Sequence, residues 1–235
     1  MTVESIVSDL KKAGSLSTKQ IWMKHGAREP FYGVKIEDLK KIQKKVKKDH
    51  ELALGLYKTG ISDAMYLAGL IADESKMTRK DLQSWVEGAY WYMISEYTVA
   101  WVTAESPFAL EMALKWIDSK KEQVAASGWS TLSSLVSIKP NAELDLPLLK
   151  KLITRVQKEI HDTPNRVCYA MNGFVIAVGG YVKPLASEAM TVARQNGKLT
   201  IDMGGTACKV PFAPDYIEKM RQRGCLDKKR KMARC

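Results

Sequence analysis

The chain has 235 residues, 46% of them hydrophobic, with 37 Lys and Arg against 26 Asp and Glu for a formal net charge of +11. That apolar content excludes a wholly disordered polypeptide and suffices for one large domain or a string of small packed units. No apolar run approaches the roughly 18–20 residues of a membrane helix, and the opening MTVESIVSDLKK lacks a signal peptide's basic start and long apolar middle, so a cytoplasmic protein is expected.

Helices are predicted over residues 3–13 and 17–25, the second behind Ser17 and Thr18 as cap candidates, before REPFYGV at 28–34 breaks the pattern. Ile36, Leu39, Ile42 and Val46 then form an apolar stripe at helical spacing, while Lys35, Lys40, Lys41, Lys44, Lys45, Lys47 and Lys48 cover the rest of the cylinder. Such a charge run is either a solvated face or a phosphate-facing helix. Further helices are expected at 50–58 and 62–73, and Thr78 with Asp81 three residues on forms a cap for the next one.

That cap leads into WVEGAYWYMISEYTVAW at 85–101, which places Trp85, Trp91, Trp101 and three tyrosines beside Glu87 and Glu96. Tyr92 and Glu96 are four apart and share one face of an α-helix. The stretch reads as a core helix with a satisfied acid or as a pocket. Ser106-Pro107 is a helix-start signature for a segment ending near ALKWIDSK, and 123–136 continues as a helix in which Ala125, Ala126, Ser127 and Gly128 permit close approach of a neighbour.

After a break at 139–141, Leu148, Leu149, Leu152, Ile153, Val156 and Ile160 make another apolar stripe. Thr163-Pro164 opens a buried helix over 165–180, and a further helix spans 184–195. KLTIDM at 198–203 is the one candidate for a short strand. Residues 202–213 read as a packed loop; Gly204, Gly205, Thr206 and Lys209 lack the spacing and βαβ setting of a phosphate loop.

About a dozen short helices joined by short breaks predict an all-α solenoid of stacked pairs, and LKKIQKKV at 39–46 is echoed by LKKLITRV at 149–156. We expect a single domain over 1–213 and a basic C-terminal segment over 214–235. From Lys219 onward eight basic residues face only Asp227, so the body carries only +4 of the +11. Cys168, Cys208, Cys225 and Cys235 have no metal-ligand spacing and are expected as free thiols; His25, His50 and His161 are scattered. No metal site and no cofactor are expected.

FYGVKIEDLKKIQKKV (31–46), the aromatic stretch, LKWIDSKKEQVAASGWSTL (114–132) and NRVCYAMNGFVIAVGG (165–180) together resemble the DNA alkylation repair family of HEAT-like repeat proteins. Its known enzymes are AlkD-like alkylpurine DNA glycosylases. The resemblance implies a HEAT-like solenoid with a concave basic face, hydrolysis with water alone, and a site of Trp, Asp four residues later, and Arg. These positions fall at Tyr92, Glu96 and Ala126, and a further DNA-facing tryptophan falls at Gly173, beside Phe174. Trp101 and Glu105 offer an alternative register.

In such an enzyme Glu96 would stabilise the oxocarbenium-like sugar and Tyr92 would contact a cationic alkylpurine, while Ala126 retains nothing of the arginine. The expected partner is double-stranded DNA, alkylated or structurally distorted, bound by a monomer. The candidate DNA contacts are Trp101, Lys35, Lys40, Lys41, Lys44, Arg166, Lys228, Lys229, Arg230 and Lys231. Three readings stay open: a glycosylase, a non-catalytic binder of damaged, bent or branched DNA, and a protein–protein scaffold.

Overall fold

Apolar spacing sets the helices, and local polar side chains cap several of their starts. Asp49 and Asp145 each accept an N–H of the first turn, and Thr78 and Asp81 form the predicted reciprocal cap. In a computed structural model describing residues 1–234, α1 (Val3–Ala13), α2 (Leu16–Lys24), α3 (Ile36–Val46), α4 (His50–Lys58), α5 (Ser62–Ile71) and α6 (Arg79–Gly88) form the first half. A π-helical segment (Met93–Val99) runs directly into α7 (Ala100–Glu105), followed by α8 (Ala109–Ile117) and α9 (Glu122–Ile138). The chain continues through α10 (Leu146–Glu159), α11 (Asn165–Tyr181), α12 (Ala186–Asn196) and α13 (Ala213–Gln222).

The helices pack as pairs in two layers, the solenoid expected from their lengths. In one row α3 lies on α5, α5 on the π-helical segment, that segment and α7 on α9, α9 on α11, and α11 on α13. The other row places α4 on α5, α6 and α8 on α9, and α10 and α12 on α11. Gly128 shows why small residues recur in α9: an added Cβ would sit 2.7 Å from the Ile117 nitrogen and 2.9 Å from the Ala113 oxygen. The backbones of α8 and α9 therefore meet directly. Hydrophobic packing forms two clusters, one centred on α1–α8 and one on α8–α13.

Several local expectations are corrected. The cap of α2 is Ser15, not Ser17 or Thr18; its hydroxyl accepts the Thr18 N–H at 3.4 Å. Ser106 instead ends α7 and turns the chain, donating to the Thr103 carbonyl and accepting the Phe108 N–H. The Thr163 hydroxyl points backward to the Ile160 carbonyl, leaving Pro164 to start α11. No strand forms at 198–203, nor anywhere among the described residues. The side chain of Asn165 satisfies both the N–H and the C=O of Asp202, and no neighbouring extended segment is available for pairing.

The boundary expected at 213 falls on the first residue of α13, which packs against α11 and α12. Beyond it the chain returns across the carboxyl ends of the first row. Lys229 Nζ donates to the Tyr181 carbonyl of α11 at 2.7 Å and the Val136 carbonyl of α9 at 2.9 Å, while the Arg230 N–H reaches the Ser137 carbonyl at 2.8 Å. The Ala233 N–H donates to Glu105 at the end of α7, and Arg234 donates to the Leu70 carbonyl of α5 and to Glu74. Ala233 is fully buried in the first cluster although α13 belongs to the second, so this strap joins the two.

The strap's chemistry follows from the helix ends it meets. The last turn of a helix leaves carbonyls without intrahelical donors and carries partial negative charge, which cations satisfy. Burial at this seat pushes the Lys229 ammonium down from its ordinary range. Of the four free thiols expected, Cys168 is buried, Cys208 exposed and Cys225 intermediate, all unpaired; Cys235 lies outside the described residues. We predict that K229M/R234A loses about 3 kcal/mol of stability in urea denaturation, from charge-assisted bonds to helix-end carbonyls and to Glu74. A loss below about 0.5 kcal/mol would contradict the strap's role, being no more than an ordinary surface substitution gives.

Candidate nucleic-acid interface

The stretch that dominates the sequence adopts π rather than α geometry from Met93 to Val99. One sign of the wider turn is the Thr98 hydroxyl, which donates to the Met93 carbonyl five residues back at 3.3 Å. Residues five apart consequently become neighbours, and the rings of Tyr92 and Tyr97 lie 6.2 Å apart. The expected α-helical face shared by Tyr92 and Glu96 is replaced by convergence on a third residue. Such π insertions recur at functional sites.

That third residue is Arg166, in the first turn of α11. Its Nε donates to Glu96 Oε1 at 2.7 Å and its Nη2 to Oε2 at 2.6 Å, a two-pronged ion pair spanning 70 residues of sequence. The Glu96 side chain is 4% exposed and that of Arg166 is 17% exposed. The guanidinium also lies 4.6 Å from the Tyr92 ring centre and 4.5 Å from that of Tyr169. Glu122 holds the Arg166 backbone N–H at 2.7 Å, fixing the helix start that aims the side chain.

Electrostatics match the geometry. Burial pushes the Glu96 carboxyl above its usual range, while the two hydrogen bonds and charge of Arg166 pull it back. Burial likewise pushes the Tyr92 phenol up to about 12, against the pull of Arg166. Arginine keeps its charge inside proteins, so the carboxylate faces a permanent counter-ion.

Ala126, where the resemblance places an arginine, is fully buried in the second cluster. The arginine that meets Glu96 comes from α11 instead. Phe174 is fully buried, 5.3 Å from Trp129, whereas an added Cβ at Gly173 would meet nothing within 4 Å. Trp101 is largely buried, edge-on to Tyr66 and Tyr97. Glu105, the acid of the alternative register, binds the strap at Ala233.

A cleft of about 260 Å³ opens beside the pair, bordered by Glu96, Tyr97, Trp101, Tyr169, Gly173 and Arg230, with four serines of α9 beneath. Every lining helix belongs to the first row.

The candidate basic residues occupy three places. Lys35, Lys41 and Lys44 are exposed on or beside α3, and Lys40 is half-buried there; Lys41 pairs with Asp38 at 2.7 Å and Lys35 approaches Glu37 at 4.0 Å. Lys228 and Lys231 are exposed on the strap, whereas Lys229 is engaged inside it. Arg166, read from sequence as a DNA contact, serves as the partner of Glu96. Among the described residues no group of three or more His, Cys, Asp or Glu side chains is arranged to hold a metal, and no helix is long and apolar enough to cross a membrane.

Residues 6–201 match the family described as DNA alkylation repair enzyme. The chain is 34% identical over 229 residues to the uncharacterized protein Lin0241 of Listeria innocua, covering 95% of this chain and 99% of that protein. With the same coverage it is 33% identical to the uncharacterized protein Lmo0209 of Listeria monocytogenes. A solved structure described as a new family of proteins related to the HEAT-like repeat DNA glycosylases with affinity for branched DNA structures matches with a TM-score of 0.91. That match has 36% identity and covers all of both chains.

The ion pair makes a signed prediction. In R166M, Glu96 keeps the burial that raises its pKa and loses the cation opposing it, so its folded value stands further above the unfolded one. Stability is then retained at low pH and falls as pH rises from the ordinary carboxyl range through the raised folded value. Chemical denaturation at neutral pH should show a loss of about 3 kcal/mol, most of it recovered in E96Q/R166M, because breaking a buried pair costs more than removing it whole. R166M as stable as the parent at high pH would contradict the pairing.

Proposed function

The chain belongs to the DNA alkylation repair enzyme family, and on that footing we propose that it is a non-catalytic binder of branched or otherwise distorted DNA, acting as a monomer. The observation that carries this reading is the closed state of Glu96. Excision of an alkylated purine leaves positive charge on the sugar, which requires a carboxylate held against it. Here both carboxylate oxygens are taken by Arg166 and the side chain is 4% exposed. A sugar cation would meet a neutralised, covered acid.

The absence of an arginine at position 126 and of a bulky side chain at Gly173 adds to this reading, since both positions are occupied by the smallest residues. The retained features favour binding. The net charge is +11, and the exposed lysines of α3 with Lys228 and Lys231 of the strap supply phosphate contacts. The affinity for branched DNA ascribed to the protein family of the matching structure is the form of binding we extend to this chain.

Two measurements on one preparation test the proposal. Incubation with DNA carrying methylated purines should release no free base above the protein-free control. Affinity for a four-way junction should exceed that for a linear duplex of the same sequence and fall steeply with salt, with a log–log slope near −0.9 per phosphate neutralised. Base release abolished by E96Q would establish the glycosylase reading instead. Absence of binding to either DNA would leave the scaffold reading.

A further inference from the structure

We infer that the cleft beside the Glu96–Arg166 pair seats one unstacked nucleotide presented at a DNA branch point. The inference rests on the binding reading above and names what the site holds. Ser130, Ser133, Ser134 and Ser137 recur at helical spacing on α9 and all line the cleft. Tyr97 and Trp101, from the π-helical segment and α7, border it on one side of α9, and Tyr169 of α11 borders it on the other. The cleft therefore has a hydroxyl floor between aromatic walls.

Its charges determine what enters. Glu96 already carries its counter-ion and Arg230 of the strap also lines the cleft, so an anionic ligand meets no unpaired carboxylate. The volume of about 260 Å³ is below the roughly 300–1,000 Å³ that encloses a drug-sized molecule, which excludes a duplex and admits a single base. Aromatic faces stack on any base, and serine hydroxyls both donate and accept, so the site reads unpairing rather than sequence.

Ser133 and Ser137 donate to the Trp129 and Ser134 carbonyls of their own helix, which leaves their oxygens as acceptors for the exocyclic amines of a base. Unstacking costs least for a nucleotide that is already unpaired. A branched DNA with an unpaired nucleotide at its branch point meets that condition and a linear duplex does not. The preference for branches then arises from the cleft, while the lysines supply affinity common to both.

The test uses the full chain and a three-way junction with 2-aminopurine at one unpaired branch nucleotide, beside a linear duplex carrying the same base paired. Fluorescence of the junction probe should fall in step with binding as the base stacks, and the duplex probe should not change. G173L plugs the cleft with an aliphatic group that cannot replace the stacking, from a position with no atom within 4 Å of the added Cβ, and G173A controls for the helix backbone. G173L should lose about tenfold in junction affinity, the scale of one lost stacking contact, with duplex affinity within about twofold of the parent. Circular dichroism confirms that both variants fold. Junction binding by the parent with an unchanged probe, or full junction preference in G173L, overturns this inference alone. Equal affinity of the parent for junction and duplex overturns the binding reading and this inference together.

Discussion

The bidentate ion pair between Glu96 and Arg166 is the constraint on which the rest of the site depends. It joins the centre of the chain to the start of α11 and sets two tyrosine rings against one guanidinium. It also sets the charge beside the cleft. An open carboxylate there would repel phosphate and favour a developing cation; a neutralised one leaves aromatic and hydroxyl surface. The π-helical turn at Met93–Val99 belongs to the same arrangement, because it sets Tyr97 beside Tyr92 and toward the cleft.

The scaffold holds this arrangement from outside. Stacked repeats contact mainly their neighbours, so a solenoid is an assembly of local packings with little to fix its ends together. The strap changes that by touching the carboxyl ends of α11, α9, α7 and α5 in succession. Part of the basic charge concentrated after Lys219 thereby acquires an intramolecular role: Lys229 and Arg234 answer helix-end carbonyls and Glu74. At the opposite end, the fully buried Asp63 receives the N–H groups of Tyr32 and Val34 and so anchors the segment before α3, the helix that displays the lysines.

Much of the fold is legible in the sequence because its causes are local. The stripe Ile36–Leu39–Ile42–Val46, the Thr78–Asp81 cap and the small residues around Gly128 each act within a few residues, and each appears in the structure. What escapes sequence reading is long-range. Arg166 meets a partner 70 residues away, and the two acceptors of Lys229 lie 48 and 93 residues away. The π turn escapes because the few polar residues of 85–101, Glu87, Ser95, Glu96 and Thr98, form no continuous contrasting face from which a changed period is visible. KLTIDM has strand-like residues but no strand to pair with, and the Asn165 amide takes the backbone groups of Asp202 that a neighbouring strand would need.

On the proposed reading the Glu96–Arg166 pair stays closed when DNA binds, and the scaffold recognises DNA shape without attacking a glycosidic bond. The Arg166 side-chain Nε–H resonance, assigned by its loss in R166M, reports that pair directly. On addition of saturating junction DNA, or of duplex carrying a methylated purine, the account predicts a resonance that keeps its shift and its slow exchange with solvent. Loss of that protection on the methylated duplex would mean that substrate opens the pair and frees Glu96, and would contradict the account.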